Sequence, residues 1–273
     1  MSAETNVLGD DVERVISSAL QSTAEVVYVV DPTVEIIESI VDIGIGDASL
    51  PTTKVLARKS LLKDALDDFL VASNAADLVQ AGALELRTMA HAVENTLFIG
   101  DDAVIAVVTA GDRIAGLATD DEAFVRDATD AYRRHFEEGE EFSLRTPPLS
   151  RVRSSLEDGL GPQVRDDFDA VLDSLQAVQG DGGGLDEVEI SLLVAARNDL
   201  LLYDVSKWGE DVGIASKATF SRTKTELEDR GLIETEKVPI DVGRPRLRLK
   251  LGDDRLAEAE PADLADVAID LRG

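Results

Sequence analysis

Apolar residues recur with two different periods along the first half of the chain, and the two periods alternate. Apolar side chains spaced three or four residues apart are typical of amphipathic helices, whereas short β-branched runs are typical of buried strands. The predicted helices cover residues 10–22, 34–43, 60–71 and 74–81, and the predicted strands between them cover residues 25–31, 53–57 and 84–88. Strands that alternate with helices indicate crossover connections and a parallel sheet.

After the third of these strands, strand-like runs follow one another without intervening helices. The runs cover residues 97–100, 103–110 and 113–118, and glycine–aspartate turns separate them. A long amphipathic helix over residues 121–136 comes next. The sequence therefore predicts an α/β effector or dimerisation domain with a mixed sheet over residues 1–145, with parallel crossovers first and hairpins later.

A segment with helical spacing follows a break at Thr146, Pro147 and Pro148. Residues 161–179 carry their apolar side chains on one face, and a one-sided helix between two domains often pairs with its copy in a dimer. The glycine-rich run that ends at Gly184 predicts a flexible hinge. We therefore interpret residues 146–184 as a helical connector and hinge, and we expect a homodimer.

The last third of the chain shows the order of elements of a winged helix-turn-helix. Its predicted helices cover residues 185–198, 203–212 and 216–230, and its predicted strands cover residues 232–238 and 246–251. Gly209 permits a close contact between helices, Ser216 is a natural N-cap for the third helix, and Gly231 ends it. We expect an α+β winged helix-turn-helix DNA-binding domain over residues 185–252, followed by an acidic, helical C-terminal tail over residues 253–273.

Charge is distributed unevenly along the chain, which carries 27 basic and 55 acidic residues and a net charge of −28. Residues 185–252 hold 11 of the basic and 13 of the acidic residues. Within them, residues 216–250 hold nine basic and six acidic residues, a net charge of +3. A chain with this much negative charge can attract phosphates only where its positive residues are concentrated. Because residues 216–250 concentrate them, this segment predicts binding to double-stranded DNA.

Candidate DNA contacts lie on the third helix and on the second strand of the wing. On the helix, hydroxyl and cationic side chains lie away from the face of Phe220 and Leu227, and such side chains suit base edges and phosphates. The strand alternates leucine with arginine or lysine, which places its cations on one face. The candidates are Ser216, Lys217, Thr219, Ser221, Arg222 and Thr225 on the helix, and Arg244, Arg246 and Arg248 on the wing.

The same pattern also fits a winged helix that contacts only proteins and docks on another regulator or on the basal transcription machinery. The strings S-K-A-T-F-S-R at 216–222 and L-E-D-R-G-L-I at 227–233 resemble those of MarR-like and TrmB-like winged-helix repressors. Such a likeness indicates the fold and leaves the operator sequence open.

Three further strings are distinctive: VVYVVD at 26–31, LFIGDDAVIAVV at 97–108 and DVGRPRLRLKL at 241–251. Through them the chain resembles, over its full length, the haloarchaeal TbsP-like transcriptional regulators, in which an α/β domain precedes a C-terminal winged helix. The resemblance implies a sequence-specific regulator of metabolic genes.

Acidic residues are dispersed over every segment rather than gathered in a tail. Dispersed acidity is typical of proteins from organisms that keep molar salt in the cell, where the Debye length falls to ~3 Å at 1 M and screens self-repulsion. We therefore interpret the chain as that of a halophilic archaeon. The alternative is an ordinary acidic protein.

The composition of the chain limits the kinds of catalytic and metal sites that it could form. It contains no cysteine and only two histidines, which excludes thiolate nucleophiles, cysteine-bound zinc and histidine-rich metal sites. The strands after His91 resemble half of a phospholipase D-like domain, but Val93 and Phe98 stand where that pattern has lysine and aspartate. We expect no enzyme activity, no metal and no cofactor. An unrecognised hydrolase or nuclease site is the remaining alternative.

Asp31 ends the first predicted strand, at the position where α/β folds bind ligands. It could instead cap the helix that follows. Both roles are retained, so Asp31 is a candidate for binding a small-molecule effector. No apolar run approaches the ~20 residues that span a bilayer, and the N-terminus lacks the features of a signal peptide. We expect a cytoplasmic protein with no membrane partner.

Overall fold

A computed structural model describes residues 7–9, 16–17, 19–20, 25–47, 49–90, 93–110, 113–177, 184–239 and 245–272. The chain forms two compact units, Met1–Leu144 and Arg145–Gly273.

The first unit is built on a single sheet with helices on both faces. Its elements are β1 (Val7–Gly9), β2 (Val26–Val30), α1 (Val34–Gly46), β3 (Thr52–Ala57), α2 (Lys59–Ala65), α3 (Phe69–Gln80), β4 (Leu84–Thr88), β5 (Thr96–Ile99), β6 (Val104–Ala110), β7 (Arg113–Thr119), α4 (Glu122–Glu138) and β8 (Glu140–Glu141). Residues 16–17 and 19–20 are also helical.

The strands are arranged in the order β1-β7-β6-β5-β2-β3-β4-β8. The β2–β3 and β3–β4 pairs are parallel, and the other described pairs are antiparallel. The α/β fold with a mixed sheet is therefore confirmed, with crossovers first and the β5–β6–β7 meander afterwards. The short edge strands β1 and β8 were not predicted.

Strand β2 is covered on both faces, which explains its unbroken apolar sequence. Val27 and Val29 belong to the core on the side of α1 to α3. Tyr28 and Val30 belong to the core on the opposite side, together with Phe136 of α4. A strand enclosed in this way needs apolar side chains at successive positions rather than at alternate ones.

Helix boundaries in this unit differ from the predicted ones at two places. The helix predicted over residues 60–71 is divided, because the carboxylate of Asp68 accepts the backbone N–H groups of Leu70 and Val71 and starts α3 there. Helix α1 continues to Gly46, past the predicted end at Gly44. A Cβ at Gly44 would lie 2.9 Å from Leu78 Cδ1, so this glycine allows α1 to approach α3 closely.

The second unit is mostly helical and contains one small sheet. Its elements are α5 (Leu149–Leu160), α6 (Pro162–Ala177), α7 (Glu187–Arg197), α8 (Leu202–Val212), α9 (Lys217–Asp229), β9 (Ile233–Val238), β10 (Arg246–Leu251), α10 (Asp254–Glu258), a 3-10 turn (Pro261–Asp263) and α11 (Leu264–Arg272). Strands β9 and β10 pair in antiparallel fashion. The winged helix-turn-helix fold is thus confirmed.

Segments that the sequence assigned to a connector and a tail lie within this unit. Helix α5 was not predicted as a separate helix, and α6 packs against α5, α7 and α11. Leu256, Leu264 and Ala268 of the C-terminal segment are buried. Apart from Gly184, the predicted hinge lies outside the described residues.

The apolar face of α6 is covered by its own chain. Val164, Phe168, Val171 and Leu172 are each at most 4% exposed in the single chain. These four side chains are therefore not free to pair with a second copy, whereas Leu175 on the same face is half-buried. Amphipathicity showed that the face is apolar, but not what buries it. The homodimer itself stays a prediction.

Candidate nucleic-acid interface

A tight turn joins α8 to α9 and sets the position of the exposed helix. Gly213 adopts a left-handed conformation with φ of 97°, and the N–H of Ile214 donates to Gly209 O at 2.8 Å. Ser216 then caps α9, because its Oγ accepts the N–H of Thr219 at 3.2 Å. The N-cap that the sequence predicted is therefore present.

Helix α9 lies against α8 through the contact between Gly209 and Phe220. Phe220 is fully buried, and a Cβ at Gly209 would lie 2.3 Å from its ring. Only glycine leaves room for the ring at this distance. Thr223 and Leu227 are buried beside it, so the opposite side of α9 is turned to solvent.

The six candidate residues of α9 and its cap lie on this solvent-facing side. Thr219 is half-buried, and the other five are exposed: Ser216, Lys217, Ser221, Arg222 and Thr225. Arg222 extends into solvent, with 72% of its side chain exposed. Hydroxyls and cations therefore form one continuous surface, which we call the α9 surface.

The wing has a less positive surface than β10 alone predicted. In the β9–β10 register, Arg248 lies opposite Glu236, and Lys250 lies opposite Glu234. Directly opposed residues share a face of the sheet, so the cations of β10 lie among the acids of β9. Lys250 Nζ is 3.2 Å from a carboxylate oxygen of Glu236. The cations of β10 share the outer face of the wing, as the sequence predicted, but that face also carries carboxylates of β9.

Arg246 is held against the first turn of α8. Its guanidinium lies 4.3 Å from the ring centroid of Tyr203, and its Nη1 lies 3.7 Å from Asp204 Oδ1. A cation over an aromatic face is attracted by the ring quadrupole. Tyr203 was not among the residues predicted from the sequence, although an aromatic residue in the first turn of a helix with a polar surface is a signal for such a contact.

Arg248 is less available than the sequence indicated. The backbone of Arg248 forms an isolated antiparallel β-bridge with Leu201, and the Arg248 side chain is half-buried. Its Nε is buried without a hydrogen-bond acceptor in the described part of the chain. Arg244 lies outside the described residues.

The N-terminus of α9 already has an acidic partner. Lys217 Nζ lies 2.8 Å from Glu210 Oε2, and the Lys217 backbone N–H donates to Glu210 Oε1 at 3.4 Å. Hydrogen bonding between the two side chains raises the pKa of Lys217 and lowers the pKa of Glu210. Both groups are therefore charged at neutral pH.

Family models match both units of the chain. The C-terminal helix-turn-helix domain of TbsP-like transcriptional regulators matches residues 148–269, and the TbsP-like N-terminal domain matches residues 4–147. The chain belongs to the TbsP-like transcriptional regulators. The resemblance expected from the sequence is thus confirmed, and with it a helix-turn-helix domain in a family of transcriptional regulators.

Two solved structures are more distantly similar to this TbsP-like regulator. TrmBL2, described as an archaeal chromatin protein with a novel mode of DNA binding, matches at 18% identity and a TM-score of 0.38, over 52% of this chain and 55% of that chain. The chain thus spans about half the length of that relative. Nuc from Salmonella typhimurium, a phospholipase D family member, matches at 11% identity and a TM-score of 0.37, over 50% of this chain and 97% of that one. Both TM-scores are too low to establish a shared fold. No curated protein matches the chain.

In the N-terminal unit of this TbsP-like regulator, Asp31 joins three parts of the chain. Its carboxylate, only 6% exposed, accepts Arg58 Nε at 3.2 Å and the N–H of Val93 at 3.1 Å. Its own carbonyl accepts the Thr96 hydroxyl at 2.8 Å. Thr33, not Asp31, caps α1 by accepting the N–H of Ile36. The capping role predicted for Asp31 was therefore wrong.

The conformation of Asp31 explains why it does not cap. Its φ is 46°, in the left-handed region that aspartate tolerates better than most residues, so the chain turns sharply at the end of β2. Both carboxylate oxygens then have protein partners, and effector binding by Asp31 stays a prediction.

The N-terminal unit also contains both histidines of the chain. His91 lies outside the described residues, and His135 packs edge-on against the Tyr132 ring at 5.5 Å. Within the described ranges, no cluster of three or more histidine, aspartate or glutamate side chains could hold a metal ion. No described helix is both long and apolar enough to cross a membrane.

Proposed function

We propose that this TbsP-like regulator binds specific sequences of double-stranded DNA as a homodimer, with α9 in the major groove and the wing along the phosphate backbone. The α9 surface is the observation that carries the proposal. It combines hydroxyl groups with the well-exposed Arg222 on a helix whose other side is locked against α8. A rigid exposed helix after a tight turn is the element that helix-turn-helix proteins place in the major groove.

Different residues of the interface would serve different purposes. Ser221, Arg222 and Thr225 are placed to contact base edges, because they lie along the middle of the exposed side of α9. Ser216, Lys217 and Thr219, at the N-terminus of α9, are placed to contact phosphate or the first bases. On the wing, Arg246 would bind phosphate, with Arg248 and Arg244 as further candidates.

The remaining parts of the proposal concern context. We propose that the N-terminal unit senses a small-molecule effector or contributes to the dimer without catalysing a reaction, and that the target genes are metabolic. The family to which both units belong supports a role in the regulation of transcription. The dispersed acidic residues support a halophilic, cytoplasmic setting.

Replacing Arg222 or Arg246 by alanine should weaken DNA binding in two distinguishable ways. Arg222→Ala should cost about 1–3 kcal/mol on the operator and relax the preference at one base position, because a base contact is lost. Arg246→Ala should weaken binding similarly on every sequence, because a phosphate contact is lost. Genome-wide occupancy identifies the operator, and fluorescence anisotropy on operator and scrambled duplexes measures the affinities.

Arg126→Ala is the matched control, because it removes one exposed positive charge from the N-terminal unit. It should leave both affinities unchanged. If Arg222→Ala and Arg246→Ala both bind the operator as tightly as the control, the proposed interface is wrong. Unchanged DNA binding together with loss of a co-purifying regulator would instead support a protein-interaction module.

A further inference from the structure

Carboxylates accompany most of the described cations on and around the proposed DNA-binding surface. In the described part of α8, α9 and the wing, these pairs are Lys207–Asp211 at 2.6 Å, Lys217–Glu210 at 2.8 Å, Arg222–Glu226 at 3.9 Å, Lys224–Glu228 at 2.5 Å, Arg246–Asp204 at 3.7 Å and Lys250–Glu236 at 3.2 Å. The net charge of +3 over residues 216–250 therefore overstates the positive charge that this surface presents, because Asp204 and Glu210 lie outside that window.

Two of these pairs involve cations proposed to bind phosphate. Glu210 contacts both the ammonium group and the backbone N–H of Lys217, the first residue of α9. Asp204 lies beside the guanidinium of Arg246, which also lies over the ring of Tyr203. In both pairs the acid belongs to α8 and the cation to another element, so tertiary folding creates the pair.

The pairs within α9 are of a different kind. Glu226 and Glu228 lie in the later turns of the helix, one turn after the cations they accompany. Arg222 and Glu226 are 3.9 Å apart with most of the Arg222 side chain in solvent, so this pair restrains the arginine little. The side chain of Lys224 is only 11% exposed, so it contributes little to the α9 surface.

We propose that Glu210 and Asp204 compete with DNA phosphates for Lys217 and Arg246, and so suppress sequence-independent DNA binding. This proposal rests on the DNA-binding function proposed above. A carboxylate that contacts a lysine ammonium group and the first backbone N–H of a helix occupies the groups that would otherwise bind a phosphate oxygen. The acids would thus make binding depend on base contacts.

The competition has a signature in the salt dependence of binding. A cation that moves from a carboxylate to a phosphate releases a counterion from DNA, but the abandoned carboxylate takes up a cation from solution. The two effects oppose each other, so the logarithm of the binding constant falls only weakly with the logarithm of the salt concentration. A protein that works at molar salt would thereby keep its affinity for the operator while binding other DNA only weakly.

Removing the competing charge should therefore tighten sequence-independent binding and steepen its salt dependence. Glu210→Gln and Asp204→Asn keep the shape of each side chain, and the amide of the Glu210→Gln variant keeps an oxygen for the Lys217 N–H. The probe is a random-sequence duplex several helical turns long, titrated with full-length protein between roughly 0.1 M and 1 M KCl. In each variant, the slope of log K against log[KCl] should become steeper by up to ~0.9. The affinity of the variant for the random duplex, relative to that of wild type, should therefore rise about eightfold from the high-salt to the low-salt end.

Glu157→Gln is the matched control, because it removes one exposed carboxylate from α5, where Glu157 lies 3.7 Å from Arg165. It makes the same change in net charge without touching Lys217 or Arg246. If Glu210→Gln and Asp204→Asn behave as this control does, or tighten binding without changing the slope, the competition is refuted. Circular dichroism melting of each variant confirms that the fold is retained.

Binding to the operator separates the two proposals. If wild type binds its operator and the acid variants match the Glu157→Gln control, the proposed function stands and the competition fails. If neither wild type nor any variant binds the operator or the random duplex at any salt concentration, the DNA-binding function itself fails. If wild type binds its operator and the two acid variants bind the random duplex more tightly and with a steeper salt slope than the control, both proposals are supported.

Discussion

Gly209→Ala should destabilise the C-terminal unit by about 3 kcal/mol, near the upper end of the usual cost of overpacking a core. The added methyl group would lie 2.3 Å from two ring carbons of Phe220, well inside van der Waals contact. Phe220 has no exposed surface, so its ring cannot relieve the contact by turning towards solvent without losing burial. Either α9 moves away from α8 or the ring adopts a strained rotamer.

The same substitution should abolish operator binding at temperatures where the protein remains folded, because a displaced α9 no longer presents its exposed side in register with the wing. Unfolding is followed in urea by the fluorescence of Trp208, the single tryptophan of the chain, which lies in α8. Its signal reports the C-terminal unit alone.

Gly159→Ala is the appropriate control for the glycine substitution. Gly159 also lies in a helix, and a Cβ there would meet Trp208 Cδ1 at 3.7 Å, an ordinary contact. That variant should be neutral or more stable by about 0.5–1 kcal/mol, because alanine favours a helix. Equal midpoints for the two variants would mean that Phe220 does not require glycine at position 209. Phe220→Leu should partly rescue Gly209→Ala by shortening the side chain.

Local patterns in the sequence predicted the elements that carry the site. The period of the apolar residues located α9 and β10, and the Ser216 cap and Gly209 contact follow from the chemistry of single residues. The order of strands and helices also predicted the mixed sheet. These features depend on short stretches of chain, in which one residue type has one dominant structural consequence.

Features that depend on pairing between distant segments could not be predicted in this way. The alternation of β10 correctly placed Arg248 and Lys250 on one face, but only the register with β9 brings Glu234 and Glu236 to that face. Likewise, Asp204 lies more than forty residues before Arg246 in the chain, so a window of local charge omits their contact.

The strands β1 and β8 escaped prediction for another reason. They contain three and two residues, too few for a period to appear, and their pairing partners β7 and β4 define them. The apolar face of α6 shows a related limit. A helical period indicates that a face is buried, but it does not tell whether the same chain or a second copy buries it. Here α5, α7 and α11 of the same chain pack against α6.

Asp167→Ala should cost about 3 kcal/mol of stability, because it removes a buried carboxylate on which three side chains converge. Asp167 lies in α6 with a side chain only 4% exposed. Gln163 Nε2 donates to Oδ1 at 2.8 Å, and Asn198 Nδ2 donates to Oδ2 at 2.8 Å. Arg197 Nε lies 3.6 Å from Oδ2, so the alanine variant leaves a positive charge without its carboxylate.

The position of these partners decides what the loss would affect. Arg197 and Asn198 end α7, the first helix of the winged fold, and Arg197 Nη1 also donates to Ala259 O at 2.6 Å. Asp167 thus fastens α6 to the end of α7 and, through Arg197, to the C-terminal segment. We therefore expect the effect to reach the C-terminal helices as well, with increased hydrogen exchange in α11.

A pair of substitutions on the same helix tests this expectation closely. Asp166→Ala removes the neighbouring carboxylate, which is 56% exposed and pairs with the neighbouring Arg165, so it should change stability by less than about 0.5 kcal/mol. Asp167→Asn keeps an oxygen for one amide donor but removes the charge. Its loss of stability should therefore lie between those of Asp166→Ala and Asp167→Ala. If urea midpoints for Asp167→Ala and Asp166→Ala coincide, the carboxylate does not hold α6 to α7, and apolar packing of Phe168 and its neighbours alone fixes the helix.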